Sequence, residues 1–152
     1  MRMRFASLVD ASHADQLKEL LFFNPMQGRY REQICKTVGE YGAPCLEECE
    51  SGLRITTDKL PDVQNLYALT GGGHRLKIVG ALLYYRFVPD TLQILHMAID
   101  PGPRPGSPEA VESVSLSFLG ELARISRQIS GIEFIRLPYG AKRIPISSLS
   151  NL

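Results

Sequence analysis

The sequence predicts an α/β (α+β) fold with a mixed, mostly antiparallel central sheet, helices on both faces of that sheet and one βαβ crossover. Two observations support this prediction. β-rich segments between positions 65 and 100 are joined by a glycine turn and a Pro-Asp turn, as in an antiparallel meander. A long amphipathic segment then separates the last of them from "GIEFIRLPY", so the two flanking strands should run parallel.

The first part of the chain contains one predicted strand and two predicted helices. Residues 4–9 form the strand, and Asp10 or Ser12 caps a helix through "ADQLKELLFF", which "NPMQG" ends. A second helix is predicted in "RYREQICKTVGEYG", where Gly42 suits the C-terminal cap. Between 43 and 59 the pattern is weak, although "GLRITTD" is compatible with a short strand.

Stronger patterns follow. "NLYALTGGG", "RLKIVGALLYYRFV" and "TLQILHMAID" are predicted as successive strands, and the second of them is apolar on both faces, as in a central strand covered from both sides. Apolar residues from Val111 to Ile129 then recur at helical spacing. Ser107 suits the N-cap of that helix, Pro108 its first position, and Gly131 its end.

Composition excludes several classes of function. The chain has 152 residues, which suits one domain over residues 1–152, and its formal net charge is +1. We therefore expect no nucleic-acid partner, since affinity for phosphate backbones needs a basic surface. No apolar run approaches the roughly 20 residues that span a bilayer, and the N-terminus lacks the pattern of a signal peptide. We expect a cytoplasmic protein without membrane contact.

The cysteines are Cys35, Cys45 and Cys49. An odd number of thiols without a secretion signal argues against a disulfide framework. On a helix, the two thiols of "CLEEC" would share a face and supply half of a zinc site, but no histidine lies nearby and no second pair exists. We therefore expect reduced cysteines and no metal site.

Familiar catalytic motifs are absent from the sequence. It contains no Gly-x-Ser-x-Gly, no Walker-type loop, no His-Glu-x-x-His and no Cys-x-x-Cys. "GGGHR" is rich in glycine but joins two strands of the meander, so no helix N-terminus follows it to hold a phosphate.

The element order and the stretch "LYALTGGGHRLKIVGALLYYRFVPDTLQILHMAIDP" resemble the GNAT superfamily of N-acyltransferases over about residues 4–139. In that family a strand with a Val-Gly stretch leads to the strand that grips acyl-coenzyme A, and "IVGALLYY" followed by "LQILHMAIDP" looks like that pair. The resemblance implies a GNAT-like domain that transfers an acyl group from acetyl-CoA or another acyl-CoA to an amine of a small molecule or protein.

The resemblance assigns cofactor binding to Met97, Ala98, Ile99, Arg104, Gly106 and Ser107. The first three would offer backbone groups to the pantetheine arm, which adds like an extra strand, and the last three would meet the pyrophosphate. The family's Arg/Gln-x-x-Gly-x-Gly/Ala loop is altered here to "RPGSPEA". Because proline has no N–H, the four prolines of 101–108 remove four potential phosphate donors. The alternative is that this loop is only a stiff connector.

The resemblance also implies catalytic roles for three residues. His96 would be the general base, since its ordinary pKa near 6.5 suits proton transfer around neutrality. Glu133 on the next strand is a rival base, and Tyr139 is the acid for the leaving thiolate. Each has a structural alternative: a hydrogen-bonded sheet residue, a solvated carboxylate and an aromatic packed in a turn, respectively.

The C-terminal part is shorter than usual for the family, which continues with a further helix and a closing pair of strands. Here "GAKRIPISSLSNL" allows one short strand at about Arg143 to Ile146. The sheet then ends in an exposed edge, unless a second copy or another protein completes it. The second functional hypothesis is therefore a catalytically inactive GNAT-fold binding or regulatory module with a protein partner, or a homodimer.

Overall fold

The computed structural model describes residues 3–22, 31–60, 62–100, 108–138 and 142–149. It is a mixed α+β structure around a mostly antiparallel, six-stranded central sheet, which confirms the predicted fold class. The helices and strands are β1 (Arg4–Ala6), α1 (Ala14–Phe22), α2 (Arg31–Tyr41), β2 (Pro44–Cys49), β3 (Gly52–Thr57), β4 (Gln64–Thr70), β5 (Lys77–Val88), β6 (Thr91–Ile99), α3 (Pro108–Arg127), β7 (Phe134–Arg136) and β8 (Arg143–Pro145). Short 3-10 turns occupy Ala11–His13, Gly73–Arg75 and Ile146–Leu149.

The central sheet has the strand order β1-β4-β5-β6-β7-β8. All neighbours pair antiparallel except β6 and β7, which run parallel. Since α3 joins these two strands, β6-α3-β7 is the predicted crossover, and β4-β5-β6 is the predicted meander. β2 and β3 form a separate antiparallel hairpin.

The predicted first strand is shorter than expected, because β1 ends at Ala6. Val9 instead forms an isolated bridge with Leu53, whose N–H donates to the carbonyl of Val9 at 2.7 Å. Asp10 is the N-cap of the turn that leads into α1, and its carboxylate accepts from the Ser12 N–H at 2.9 Å. The chain therefore leaves the central sheet early and is held by the hairpin.

In the weakly patterned stretch between 43 and 59, "CLEEC" lies in β2, so its two thiols are not on the helix face that half of a zinc site would need. β2 pairs with β3 from Pro44↔Thr57 to Cys49↔Gly52, and the β-branched residues of β3 favour this extended pairing. Cys45 and Cys49 therefore lie roughly 13 Å apart along a strand, too far to bind one metal ion. In the described parts of the chain, no group of three or more His, Cys, Asp or Glu residues is placed to hold a metal.

Apolar side chains form one core on each face of the central sheet. The core beneath α1, called the α1-side core below, comprises Val9, Leu17, Leu20, Leu21, Leu53, Ile55, Val63, Tyr67, Leu69, Ile78, Ala81, Leu83, Leu95 and Ala98. The α3-side core comprises Leu66, Ala68, Leu82, Ile94, Ile99, Val114, Phe118, Leu119, Leu122, Ala123, Ile135 and Leu149. This confirms that the central strands are covered from both sides.

Helix α3 is shorter than predicted. It ends at Arg127, and the side chain of Ile129 is 37% exposed instead of continuing the apolar face. Gly131, with φ +89, reverses the chain soon afterwards, a conformation that favours glycine. None of the helices within the described residues is both long enough and apolar enough to cross a membrane.

Candidate functional site

The parallel strands β6 and β7 are paired only at one end. Their partners are Thr91↔Phe134, Leu92↔Ile135 and Gln93↔Arg136, after which β6 continues for six residues to Ile99. On its other side, β6 stays paired with β5 up to Ile99. Among the described residues, no strand pairs with the β7 side of β6 beyond Gln93. Within the described residues, a gap in strand pairing therefore follows Gln93 on this side of β6.

The short length of β7 has a local cause. Pro138 follows two residues after its end and has no N–H to donate to a ladder. Leu137 already donates its N–H to the carbonyl of Lys142 at 3.1 Å, on the β8 side and not the β6 side. The chain thus turns towards β8 where β6 is still extended.

Backbone groups of β6 point into this gap at alternate residues. The Asp100 N–H donates to the carbonyl of Val79, a residue of β5, at 2.9 Å. Because bonds to one antiparallel neighbour recur at every second residue, Ala98 also faces β5, where it lies opposite Ala81. Met97 and Ile99 therefore direct their backbone N–H and C=O towards the gap. Of the three residues predicted to contact pantetheine, the structure places the backbone of two on that side.

A β-bulge lies beside the predicted base. Leu83 is opposite His96 and Tyr84 is opposite Ile94, so Leu95 is the extra residue. Since directly opposed residues share a face, His96 lies on the face of Leu83, which is the face covered by α1. Bulges are enriched next to active sites because they re-aim a side chain.

His96 is buried, with 6% of its surface exposed. Burial lowers its pKa to about 4, because a charged imidazolium would lose its hydration there. The ring is therefore neutral at physiological pH.

Glu133, the rival base, lies elsewhere. It is exposed, immediately before β7, and its N–H donates to the Asp90 carbonyl at 2.8 Å. Asp90 precedes β6, whereas His96 is close to the other end of that strand, roughly 20 Å away at about 3.3 Å per residue. The structure therefore does not bring Glu133 and His96 together.

The remaining predicted site residues, Arg104, Gly106, Ser107 and Tyr139, lie outside the described residues. What is described is the start of α3 at Pro108, eight residues beyond Asp100. The N-terminus of a 20-residue helix therefore follows the strand that borders the gap.

An aromatic cluster that sequence analysis did not single out lies on the α1 side of the sheet. The Phe87 ring is 5.0 Å from the Tyr41 ring and 4.7 Å from the Tyr85 ring, centroid to centroid. Strand alternation was a signal that Tyr85 and Phe87 share a face. The contact with Tyr41 depends on how α2 packs, for which the sequence carries no local signal.

Comparison of the chain with models of protein families, with curated proteins and with solved structures found no match. Function is therefore inferred from the divergence of β6 and β7, the position of His96 and the start of α3.

Proposed function

We propose that the protein is an acyl-CoA-dependent N-acyltransferase that acylates an amine of a small molecule or protein in the cytoplasm. The observation that carries this proposal is the gap between β6 and β7. A parallel pair that separates halfway leaves one strand with an edge on which an extended, amide-containing ligand fits.

The pantetheine arm of coenzyme A is such a ligand, because it is linear and contains two amide groups. It adds to the β7 side of β6 as a partial strand, with the backbone of Met97 as its hydrogen-bonding partner. The backbone of Ala98 has the opposite direction and serves the β5–β6 ladder instead. The side chain of Ala98 belongs to the α1-side core, so its part in binding is to support the strand.

The pyrophosphate of coenzyme A fits the segment between β6 and α3. The unpaired N–H groups of a helix N-terminus and the helix dipole favour an anion there. Arg104 adds a positive charge, and Gly106 and Ser107 retain the N–H groups that the prolines lack. Binding at this position depends more on Arg104 than in a glycine-rich loop, since fewer backbone donors remain.

In the transfer step, the neutral amine nitrogen attacks the carbonyl carbon of the thioester. A C–N bond forms, the C–S bond breaks, and the nitrogen loses one proton while the leaving thiolate gains one. With a pKa of about 4, His96 is a weak base for a free alkylammonium ion. It is suited to accept the proton after attack, when the nitrogen has become much more acidic. In this proposal Tyr139 protonates the thiolate, and Glu133 takes no part because of its distance from His96.

A catalytically inactive binding module is the second candidate, and one observation favours it. The central sheet ends in the three-residue strand β8, which pairs only with β7 within the described residues. A second copy or a protein partner fits that edge, although its short length and Pro145 limit strand addition.

Calorimetric titration with acetyl-CoA and with free CoA tests the proposal. We expect micromolar affinity, weakened about tenfold or more in Arg104→Ala because a charge-assisted phosphate contact is lost. Arg75→Ala, a change to an exposed arginine in the turn before β5, is the matched control and should bind like the unmodified protein. Absence of binding up to millimolar cofactor, or equal loss in both variants, would contradict the enzyme proposal and favour the binding module.

A further inference from the structure

The aromatic cluster, defined as Tyr41, Tyr85 and Phe87, connects the end of α2 to the sheet. Phe87 contacts both tyrosine rings, at 5.0 and 4.7 Å between centroids, with interplanar angles of 36° and 56°. The side chain of Phe87 is nevertheless 42% exposed. The cluster therefore presents aromatic surface to solvent instead of serving only as core.

Local structure holds Tyr41 in this position. It is the last residue of α2, and the chain turns immediately afterwards at Gly42, whose φ is +93 and whose N–H donates to the Val38 carbonyl at 2.8 Å. The Lys59 ammonium donates to the Gly39 carbonyl at 2.6 Å and ties this end of the helix to the segment after β3. No residue of α2 is fully buried, and Tyr41 at this end packs against the α1-side core.

The charged groups around the cluster favour a cation. Burial raises the pKa of Tyr41, and the Glu40 carboxylate raises it further through its negative charge and a hydrogen bond from the hydroxyl. The guanidinium of Arg86, the residue before Phe87, is directed away from the cluster and donates to the carbonyls of Pro89 and Ser130. The cluster thus has a carboxylate beside it, while the adjacent arginine and the Lys59 ammonium both donate to backbone carbonyls.

We propose that the aromatic cluster and Glu40 bind an alkylammonium group. Aromatic faces attract cations through their quadrupoles within about 6 Å of the ring centroid, and a neighbouring carboxylate adds to that attraction. The further step, that this ammonium group belongs to the amine acceptor of the acyl transfer, rests on the acyltransferase function proposed above. Tyr85 lies opposite Gln93, and Leu83 lies opposite His96, so Tyr85 and His96 are diagonal neighbours on one face, roughly 8 Å apart.

This position defines the class of acceptor. The nitrogen that attacks a thioester must be neutral, whereas a cation–π site favours the protonated form. The ammonium bound by the cluster is therefore a second, non-reacting group of an acceptor that carries at least two basic nitrogens.

The test is an NMR titration of the full chain with three probes of similar shape: n-butylammonium, 1-butanol and butyrate, at constant ionic strength. We expect millimolar binding of butylammonium, seen as shifts of the Tyr41, Tyr85 and Phe87 ring protons, and much weaker shifts with 1-butanol and butyrate. Phe87→Leu keeps an apolar side chain but removes the ring, and should weaken butylammonium binding about threefold. Glu40→Gln should weaken it to a similar degree.

Phe22→Leu is the matched control, because Phe22 is 46% exposed at the end of α1, outside the cluster. It should leave binding unchanged, and amide spectra of each variant verify folding. Equal binding of 1-butanol and butylammonium, no binding of butylammonium, or unchanged binding in both Phe87→Leu and Glu40→Gln would overturn the cation site. Coenzyme A binding is measured separately. If butylammonium binds and coenzyme A does not, the acyltransferase proposal is refuted and the cation-site proposal stands.

Discussion

Acidification from pH 7 to pH 4 should destabilise the folded protein by about 3 kcal/mol through His96 alone. The pKa of His96 is lowered from 6.5 to about 4 in the folded chain by burial. A difference of about 2.5 between the two pKa values corresponds to roughly 3 kcal/mol at about 1.4 kcal/mol for each pH unit. The unfolded chain therefore gains a proton as the pH falls through 6.5, whereas the folded chain gains it only near pH 4.

The sign follows from this order of protonation. Above pH 6.5 the histidine is neutral in both states, and its contribution to stability is fully present. Between pH 6.5 and 4 the unfolded state binds more protons, so the free energy of unfolding decreases as the pH falls. Below the pKa of His96 in the folded chain, the histidine is protonated in both states, and its contribution to the free energy of unfolding has been lost completely.

Urea denaturation at several pH values between 7 and 4 measures the effect. His96→Gln removes the titrating group. As the pH falls from 7 to 4, the free energy of unfolding of the unmodified protein should therefore decrease by about 3 kcal/mol relative to that of this variant. His74→Gln is the control, since His74 is exposed in the turn before β5 and should keep the full pH dependence. Identical pH profiles for all three proteins, or an NMR titration that gives His96 a folded pKa near 6.5, would refute the reasoning.

Two further changes test the packing that positions the site. Gly80→Ala should destabilise by about 1–3 kcal/mol, since overpacking a core costs this much and the added Cβ would lie 2.6 Å from Cε2 of Phe118. Adding Phe118→Leu should make the Gly80→Ala cost smaller, and an unchanged cost in that double-mutant cycle would contradict the steric explanation. Asn65→Ala should cost about 2–3 kcal/mol in urea denaturation, because it leaves the buried Ile55 N–H and the part-buried Ser7 carbonyl without this partner. The Asn65 side chain accepts from the Ile55 N–H at 3.3 Å and donates to the Ser7 carbonyl at 3.0 Å, and a loss below about 0.5 kcal/mol would mean that water replaces both bonds.

Much of the fold was predictable from the sequence because its signals are local. The alternation and turn residues of β4, β5 and β6 predicted the meander, and the helical spacing of α3 predicted the crossover. For the same reason His96, Met97 and their neighbours could be assigned to the strand that borders the gap. These features depend on which face of a strand or helix is apolar, which a short window of sequence contains.

Two features of the first sixty residues were not predicted, and both depend on strand pairing. The stretch that contains "CLEEC" carries only a weak local pattern, and pairing with β3 makes it a strand. The first strand ends at Ala6 because Val9 bridges the hairpin instead of β4. The bridge from Val9 to Leu53 joins positions more than forty residues apart, and such pairing outweighs local preference and leaves no mark in a short window.

The features of the candidate site are likewise of two kinds, those set by local sequence and those set by contacts between distant segments. Sequence alone placed His96 and Met97 on one extended strand before a helix, because residue alternation and capping residues are local properties. Only tertiary structure decided the bulge at Leu95, the early separation of β7, the burial that lowers the pKa of His96 and the contact of Tyr41 with Phe87. Each of these depends on how segments far apart in the chain approach one another, and the energies that select that approach belong to the packed core as a whole.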